Sequence, residues 1–188
     1  MGARWERRAS EPLADYQFFR VRRDTSVHPR RGSPHEFYVI EFPDWVNILP
    51  ITADGELLMV RQYRHGARES TIEIPGGTVD EGESPKEAAL RELHEETGWI
   101  AADAVELGWV YPNPAILENR CYSFLAEGLD RAGTPRGDDG SEAIDALVRI
   151  PLAEIPRLFA EGQITHALTV SAFQLHARYH KRPLWDGD

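Results

Sequence analysis

Cysteine is almost absent from this chain, since Cys121 is the only one among 188 residues. One cysteine excludes an internal disulfide and a zinc site built from several thiolates. Because disulfides are typical of oxidising compartments, their absence favours a reducing cytoplasm. The chain also lacks an apolar run of the roughly 20 residues that span a bilayer, and no apolar segment follows its basic start. Neither a membrane anchor nor a secretory signal is therefore expected.

Basic charge is also scarce, with 21 Lys and Arg residues against 31 Asp and Glu residues and a formal net charge of −10. That balance argues against broad nucleic-acid binding driven by phosphate neutralisation, so nucleic acid is not expected as a partner. It suits a protein that gathers divalent cations, although surplus acid also simply keeps proteins soluble. The length allows one sizeable core, hence one domain with an extension.

The hydrophobic pattern predicts strands first, then a helix, then strands and two final helices. The segment up to about residue 34 is polar and basic, and we interpret it as a loop or an irregular hairpin. Predicted strands cover residues 37–42, 45–51, 57–64 and 70–74, "AVELGWVY", "NRCYSFLA" and "ALVRI". Asp54-Gly55 predicts a hairpin turn between the second and third of them. This order indicates an α/β or α+β fold with a mixed sheet.

The clearest local prediction is a helix that begins after Ser84. Ser84 is a favourable N-cap, Pro85 suits the first helical position, and Glu87 completes a capping box. Gly98 ends the helix. A helical wheel places an apolar stripe on one side of this segment and three glutamates on the adjacent sector, at Glu92, Glu95 and Glu96.

Three carboxylates spaced three and four residues apart repel one another on a helix. A solvated acidic face is the common meaning of such a pattern. The alternative is that a hard dication with a preference for oxygen ligands removes the repulsion, and Mg²⁺ is the usual ion where phosphates also bind.

The stretch "PGGTVDEGESPKEAALRELHEETGW", residues 75–99, resembles the Nudix box. That pattern is Gly, five residues, Glu, seven residues, then Arg-Glu-apolar-x-Glu-Glu-x-Gly-apolar. Gly77, Glu83 and the run "RELHEETGW" fill every one of its nine specified positions at the required spacing. A chance match of this kind is very improbable.

The resemblance implies a Nudix α/β/α sandwich around a mixed sheet, with an N-terminal β extension. It also implies hydrolysis of a nucleoside diphosphate linked to another group, with Mg²⁺ as cofactor and Mn²⁺ as a substitute. The implied metal ligands, which act in catalysis, are the carboxylates of Glu92, Glu95 and Glu96 and the carbonyl of Gly76. The implied scaffold residues are Gly77, Glu83, Arg91 and Gly98.

Segments outside the box resemble the ADP-ribose and nucleotide-sugar pyrophosphatase branch of the family. "LLMVRQYRHG" and "TIEIPGG" carry the upstream resemblance, which implies that Arg64, with Arg61 as a second candidate, contacts substrate phosphate. Glu73 matches a position that contacts the nucleoside side. Pro114, fifteen residues past Trp99, matches the proline of ADP-ribose-type members. Its loop departs from the commoner Ser-Pro-Gly version, which leaves nucleotide sugars in general open as substrates.

This branch commonly takes its catalytic base from the loop before the late strand, here "RGDDGSEAIDALVRI". Glu142 is the first candidate, and Asp145 and Asp139 are alternatives because the register is not determined. We interpret His166, in "ITHALTV", as a helix-start residue and not as a ligand.

The resulting hypothesis is a cytoplasmic Mg²⁺-dependent diphosphatase of ADP-ribose or related nucleotide sugars. The alternatives are a Nudix enzyme of nucleoside triphosphates, dinucleoside polyphosphates or RNA 5′ ends, and a non-catalytic nucleotide sensor. An arginine-rich arm would support the RNA alternative: Arg20, Arg22, Arg23, Arg30 and Arg31. Residues 1–45 are predicted to form an extension that pairs two copies into a homodimer, and residues 46–188 the catalytic domain. The sequence does not determine the nucleobase of the substrate, its sugar or the preferred metal.

Overall fold

A computed structural model describes residues 4–134 and 144–186. Within them the chain forms twelve strands and three α-helices. The strands are β1 Glu6–Tyr16, β2 Phe19–Val27, β3 Pro34–Glu41, β4 Trp45–Pro50, β5 Glu56–Arg64, β6 Glu69–Glu73, β7 Gly76–Thr78, β8 Trp99–Ile100, β9 Val105–Val110, β10 Cys121–Ala126, β11 Asp130–Arg131 and β12 Ile144–Pro151. The helices are α1 Pro85–Thr97, α2 Ile155–Ala160 and α3 Ala167–His180.

Two compact units make up the chain, the first from Met1–Pro43 with Tyr111–Arg120, and the second from Asp44–Val110 with Cys121–Asp188. In the first unit β1, β2 and β3 form an antiparallel sheet in that order. The segment "RVRRDTSVHPRRGSPH", interpreted as a loop or an irregular hairpin, does form a hairpin, since β2 pairs with β3 across a turn at residues 28–33. The basic side chains of β2 are compatible with a strand because partners on the flanking strands accept their hydrogen bonds, as Glu11 does for Arg23 at 2.6 Å.

The second unit contains a four-stranded sheet, β7-β4-β10-β9, and a three-stranded sheet, β12-β5-β6. The β4–β10 pair is parallel and the other pairs in these sheets are antiparallel, so the four-stranded sheet is mixed. A turn does form at Asp54-Gly55, where Gly55 has φ 74°. The antiparallel bridge Ile51–Leu57 forms across this turn, but β4 and β5 belong to different sheets, so the hairpin does not extend into a paired ladder.

Helices cover both faces of β4, because successive strand residues point to opposite sides. Val46 and Ile48 are buried in one core cluster with Leu93 of α1. Leu49 is buried in the other, with Phe173 of α3. The predicted α/β/α arrangement is confirmed. Among the described residues, no helix is long and apolar enough to cross a membrane.

Helix α3 buries a histidine that makes the fold sensitive to acid. His176 is 5% exposed, and its Nδ1 has no hydrogen-bond partner in the described part of the chain. Burial, with further contributions from His180 and Arg182, lowers the pKa of His176 to about 4. A depressed histidine pKa means that the unfolded state binds the proton first, since its pKa stays near about 6.5.

We expect stability to be retained above about pH 6.5 and to fall between pH 6.5 and 4, with up to about 3 kcal/mol lost through His176. His176→Gln removes this contribution, so its melting temperature should fall less over that range. Denaturation scans at several pH values would measure the difference. His65→Gln, on an exposed histidine, is the control and should keep the wild-type pH dependence. If the melting temperatures of His176→Gln and the wild type fell by the same amount between pH 6.5 and 4, the prediction would be contradicted.

Candidate active site

Helix α1 has the boundaries that its capping residues predict. The Ser84 hydroxyl accepts from the Glu87 N–H at 3.3 Å, and the Ser84 N–H donates to the Glu87 carboxylate at 2.8 Å, which completes the capping box. At the other end Gly98 adopts the left-handed conformation, φ 73°, and its N–H donates to the carbonyl of His94 at 2.8 Å. These caps set where α1 begins and ends, and thereby which of its residues face strand β7.

The glycine turn, Gly76-Gly77 before α1, leaves little room for a side chain. Strand β7 pairs with β4, with Gly76 opposite Asn47 and Gly77 opposite Val46. A Cβ at Gly76 would lie 2.3 Å from the carbonyl oxygen of Val46, and a Cβ at Gly77 would lie 2.3 Å from Oε1 of Glu92. A side chain at Gly76 would therefore displace backbone, whereas one at Gly77 would displace the carboxylate of Glu92, the flexible end of a side chain.

The predicted metal-binding glutamates lie on the side of α1 that faces this turn. Glu96 is 3% exposed, and its Oε2 accepts a hydrogen bond from the Gly76 N–H at 3.0 Å. Glu92 is 9% exposed and lies against Gly77. Glu95 is only partly buried. The structure thus brings Glu92 and Glu96 against the glycine turn, whereas the carboxylate of Glu95 accepts a hydrogen bond from Arg91.

Arg91 offsets the repulsion among these carboxylates, a role that the sequence reasoning missed. Its Nη1 donates to Glu92 at 2.7 Å and to Glu95 at 3.0 Å. Its Nε and Nη2 donate to Glu83, both at 3.0 Å. The hydrogen bonds from Arg91 hold the pKa of Glu83 below its ordinary value. The signal in the sequence was the spacing of Arg91 and Glu95, four residues apart on one helix.

The donors at this site fit a hard divalent cation by their chemistry. All are oxygens, from the carboxylates of Glu92, Glu95 and Glu96 and from the carbonyl of Gly76, and Mg²⁺ and Mn²⁺ prefer oxygen ligands. In the described residues, no three acidic, histidine or cysteine side chains already surround one cation position.

A second cluster of charged groups lies at the ends of β5 and β6. Nε and Nη2 of Arg64 donate to the two carboxylate oxygens of Glu73 at 2.9 and 2.7 Å. Glu73 has a side chain that is 2% exposed, whereas that of Arg64 is 40% exposed. Burial alone would raise the pKa of Glu73, but hydrogen bonds from Arg64, His166 and Thr71 outweigh it and hold this pKa far below its ordinary value.

The other predicted site residues that the structure describes have exposed side chains. Arg61 is exposed on β5, and Pro114 is exposed in the segment Tyr111–Arg120 of the first unit. Asp145 is exposed on β12, where it accepts a hydrogen bond from the Ser70 hydroxyl at 2.8 Å. The remaining candidates for the catalytic base, Glu142 and Asp139, lie outside the described residues.

The NUDIX domain model matches residues 41–170, more than half of the chain. The chain belongs to the Nudix family. This Nudix hydrolase therefore has the fold and the general activity that residues 75–99 predicted, and enzymes of this family use divalent metal ions.

Relatives and a solved structure agree with this assignment. An ADP-ribose pyrophosphatase of Bacillus subtilis is 31% identical over 143 residues, which span 76% of this chain and 77% of the relative. An ADP-sugar pyrophosphatase of Mus musculus is 42% identical over 149 residues, 72% of this chain and 67% of the relative. The crystal structure of an ADP compounds hydrolase superposes with a TM-score of 0.80 at 26% identity and covers 94% of each chain.

Proposed function

We propose that this Nudix hydrolase cleaves the diphosphate bond of ADP-ribose or of related nucleoside diphosphate sugars. The products would be a nucleoside monophosphate and a sugar phosphate. One observation carries the proposal: Glu92 and Glu96 are buried on a capped helix, with Glu92 packed against Gly77 and Glu96 hydrogen-bonded to the N–H of Gly76. The names of the relatives, ADP-ribose pyrophosphatase and ADP-sugar pyrophosphatase, support the substrate class.

We assign the metal site to Glu92, Glu95, Glu96 and the carbonyl of Gly76, with Mg²⁺ as the cofactor and Mn²⁺ as a substitute. When bound, such a cation neutralises diphosphate oxygens and lowers the pKa of a bound water. The chain itself binds and orients the diphosphate so that attack on phosphorus is in line with the leaving phosphate.

Substrate binding would fall to arginines near the ends of β5 and β6. Arg64 is the main candidate, because its guanidinium is held in a bidentate pair with Glu73 while 40% of its side chain stays exposed. Arg61 and Pro114 remain candidates for further contacts. The catalytic base would be an acid of the loop before β12, with Glu142 first and Asp145 or Asp139 as alternatives.

A hydrolysis panel tests the substrate class. Phosphatase-coupled release of phosphate should be seen with ADP-ribose or another nucleotide sugar, should need Mg²⁺ or Mn²⁺, and should be much weaker with nucleoside triphosphates and dinucleotides. Preference for triphosphates or dinucleotides would replace the proposal with the alternative activity. Tight binding of a nucleotide sugar without hydrolysis in either metal would establish a sensor instead.

The RNA alternative loses its main support in the first unit. Nη1 of Arg22 donates to Glu41 at 2.5 Å and to Glu118 at 2.6 Å, and Arg23 donates to Glu11 at 2.6 Å. Arginines neutralised in this way contribute little to phosphate binding, since counterion release depends on net positive charge. Within the arm, Arg22 and Arg23 are therefore paired with acidic side chains of the first unit.

We further propose that the first unit mediates a homodimer, as predicted for residues 1–45. Its sheet exposes large apolar side chains, Trp5, Leu13, Tyr16, Phe37 and Tyr38. Because neighbouring strand residues point to opposite faces, Phe37 and Tyr38 expose apolar surface on both sides of this sheet, and a second copy would cover one of these faces. Light scattering at micromolar concentration should give twice the chain mass, and a monomer would contradict the proposal. The cytoplasmic location stays a prediction.

A further inference from the structure

The first turn of α3 is tied to the strands that carry the charged cluster. The Ile74 N–H donates to the hydroxyl of Thr169 at 3.3 Å, and the Asn47 amide donates to the carbonyl of Leu168 at 3.2 Å. In the same turn, Nδ1 of His166 lies 2.9 Å from Oε2 of Glu73. The helix start thus holds the end of β6, close to the glycine turn.

The carboxylate of Glu73 has no remaining capacity for a ligand. Oε1 accepts from Nε of Arg64 and from the hydroxyl of Thr71, and Oε2 accepts from Nη2 of Arg64 and lies beside Nδ1 of His166. A carboxylate offers about four acceptor positions, so these four donors occupy them. With its side chain 2% exposed, Glu73 is placed to hold other residues, and not to touch the nucleoside as the resemblance implied.

The proton on His166 is located by its partner. Because a carboxylate only accepts, Nδ1 of His166 carries the hydrogen that points to Glu73. The hydroxyl of Thr169 lies 3.1 Å from the same nitrogen and supports that ring orientation. Removal of His166 would leave one buried acceptor position of Glu73 without a donor, and a buried carboxylate then shifts to find another.

We propose that His166 is a positioning residue for substrate binding: it holds Glu73, and Glu73 orients the guanidinium of Arg64 toward a diphosphate oxygen. The inference rests on the proposed function for the identity of the ligand. The bidentate pair with Glu73 restrains the plane of the Arg64 guanidinium, and preorganised donors bind phosphate better than mobile ones. His166 therefore affects the affinity for the diphosphate without touching it.

Steady-state kinetics with the nucleotide sugar that the panel identifies provide the first test. His166→Ala should raise KM about tenfold while kcat changes less than about threefold, because bound substrate still meets the same metal site. His166→Asn should restore KM to within about threefold, since its amide places a donor near the position of Nδ1. In an Arg64→Ala background, His166→Ala should have no further effect on KM. Gln174→Ala, on the exposed side of α3, is the matched control.

An NMR measurement tests the inference without any activity. The Nε–H signal of Arg64, assigned by its loss in Arg64→Ala, should exchange slowly with water in the wild type. His166→Ala should speed that exchange at least tenfold and His166→Asn should restore it. Two results would overturn the inference. The first is an exchange rate of the Arg64 Nε–H that is the same in His166→Ala as in the wild type. The second is a double variant, His166→Ala with Arg64→Ala, whose increase in KM equals the product of the two single increases. Absence of hydrolysis by the wild type would instead overturn the proposed function, and the exchange rates would still decide the role of His166.

Discussion

Glu92→Gln and Glu96→Gln should each reduce kcat by about 100-fold or more, because each removes a negative charge that the proposed metal site needs. Glutamine keeps the length of the side chain and one acceptor oxygen. The hydrogen bond from the Gly76 N–H to residue 96 is therefore retained, and the fold should stay intact. Phosphate release with saturating Mg²⁺ measures kcat, and thermal denaturation checks the fold.

Glu81→Gln is the matched control for both variants. Glu81 lies in the same box, between the glycine turn and α1, but is exposed and was not assigned to the metal. Its kcat should equal that of the wild type. Near-normal turnover in both Glu92→Gln and Glu96→Gln would refute the assignment of the metal site, whatever the stability of the variants.

Gly76→Ala should lower the free energy of unfolding by about 3 kcal/mol or more. Its added Cβ would meet the Val46 carbonyl oxygen at 2.3 Å and the Asn47 Cα at 2.9 Å. Both atoms are backbone within the β4–β7 pair, so the clash can be relieved only by separating the strands. Urea denaturation of the purified variant would measure the loss, and insolubility of the variant alone would agree with it.

Two neighbouring substitutions separate a stability effect from a catalytic one. In Gly77→Ala the clash falls on the carboxylate of Glu92, the mobile end of a side chain, so activity should be lost at a smaller cost in stability. Gly66→Ala meets no atom within 4 Å, and Gly66 does not have a positive φ, so this control should leave both properties unchanged. Equal stability of Gly76→Ala and Gly66→Ala would show that the strands accommodate the methyl group.

Local rules predicted α1 well because its signals lie within a few residues of one another. Ser84, Glu87 and Gly98 act through hydrogen bonds to their own turn of the chain. The strand pairing of the first unit could not be predicted in this way, for the opposite reason. Its strands are polar on much of their surface, and their pairing depends on partners such as Glu11 and Glu36 around Arg23, which are contributed by other strands.

The buried carboxylates likewise include some whose role follows from local sequence and one whose role depends on packing. That Glu92 and Glu96 belong to one functional group follows from their spacing on a helix, which is a property of adjacent turns. That Glu73 is saturated by Arg64 and His166 does not follow from any spacing. His166 looked like an ordinary helix-start residue, which it is, since it is the N-cap of α3. Its second contact exists only because α3 packs beside β6.

By itself, the sequence determined the family and the helix that carries the three glutamates with Arg91 beside them, because these features depend on spacing along the chain. Tertiary structure alone decided that Gly76 lies against the backbone of β4 and that Glu73 is enclosed by an arginine and a histidine. Such contacts join residues as far apart as Ile74 and Thr169, 95 positions, and packing of the helices on the sheet brings them together.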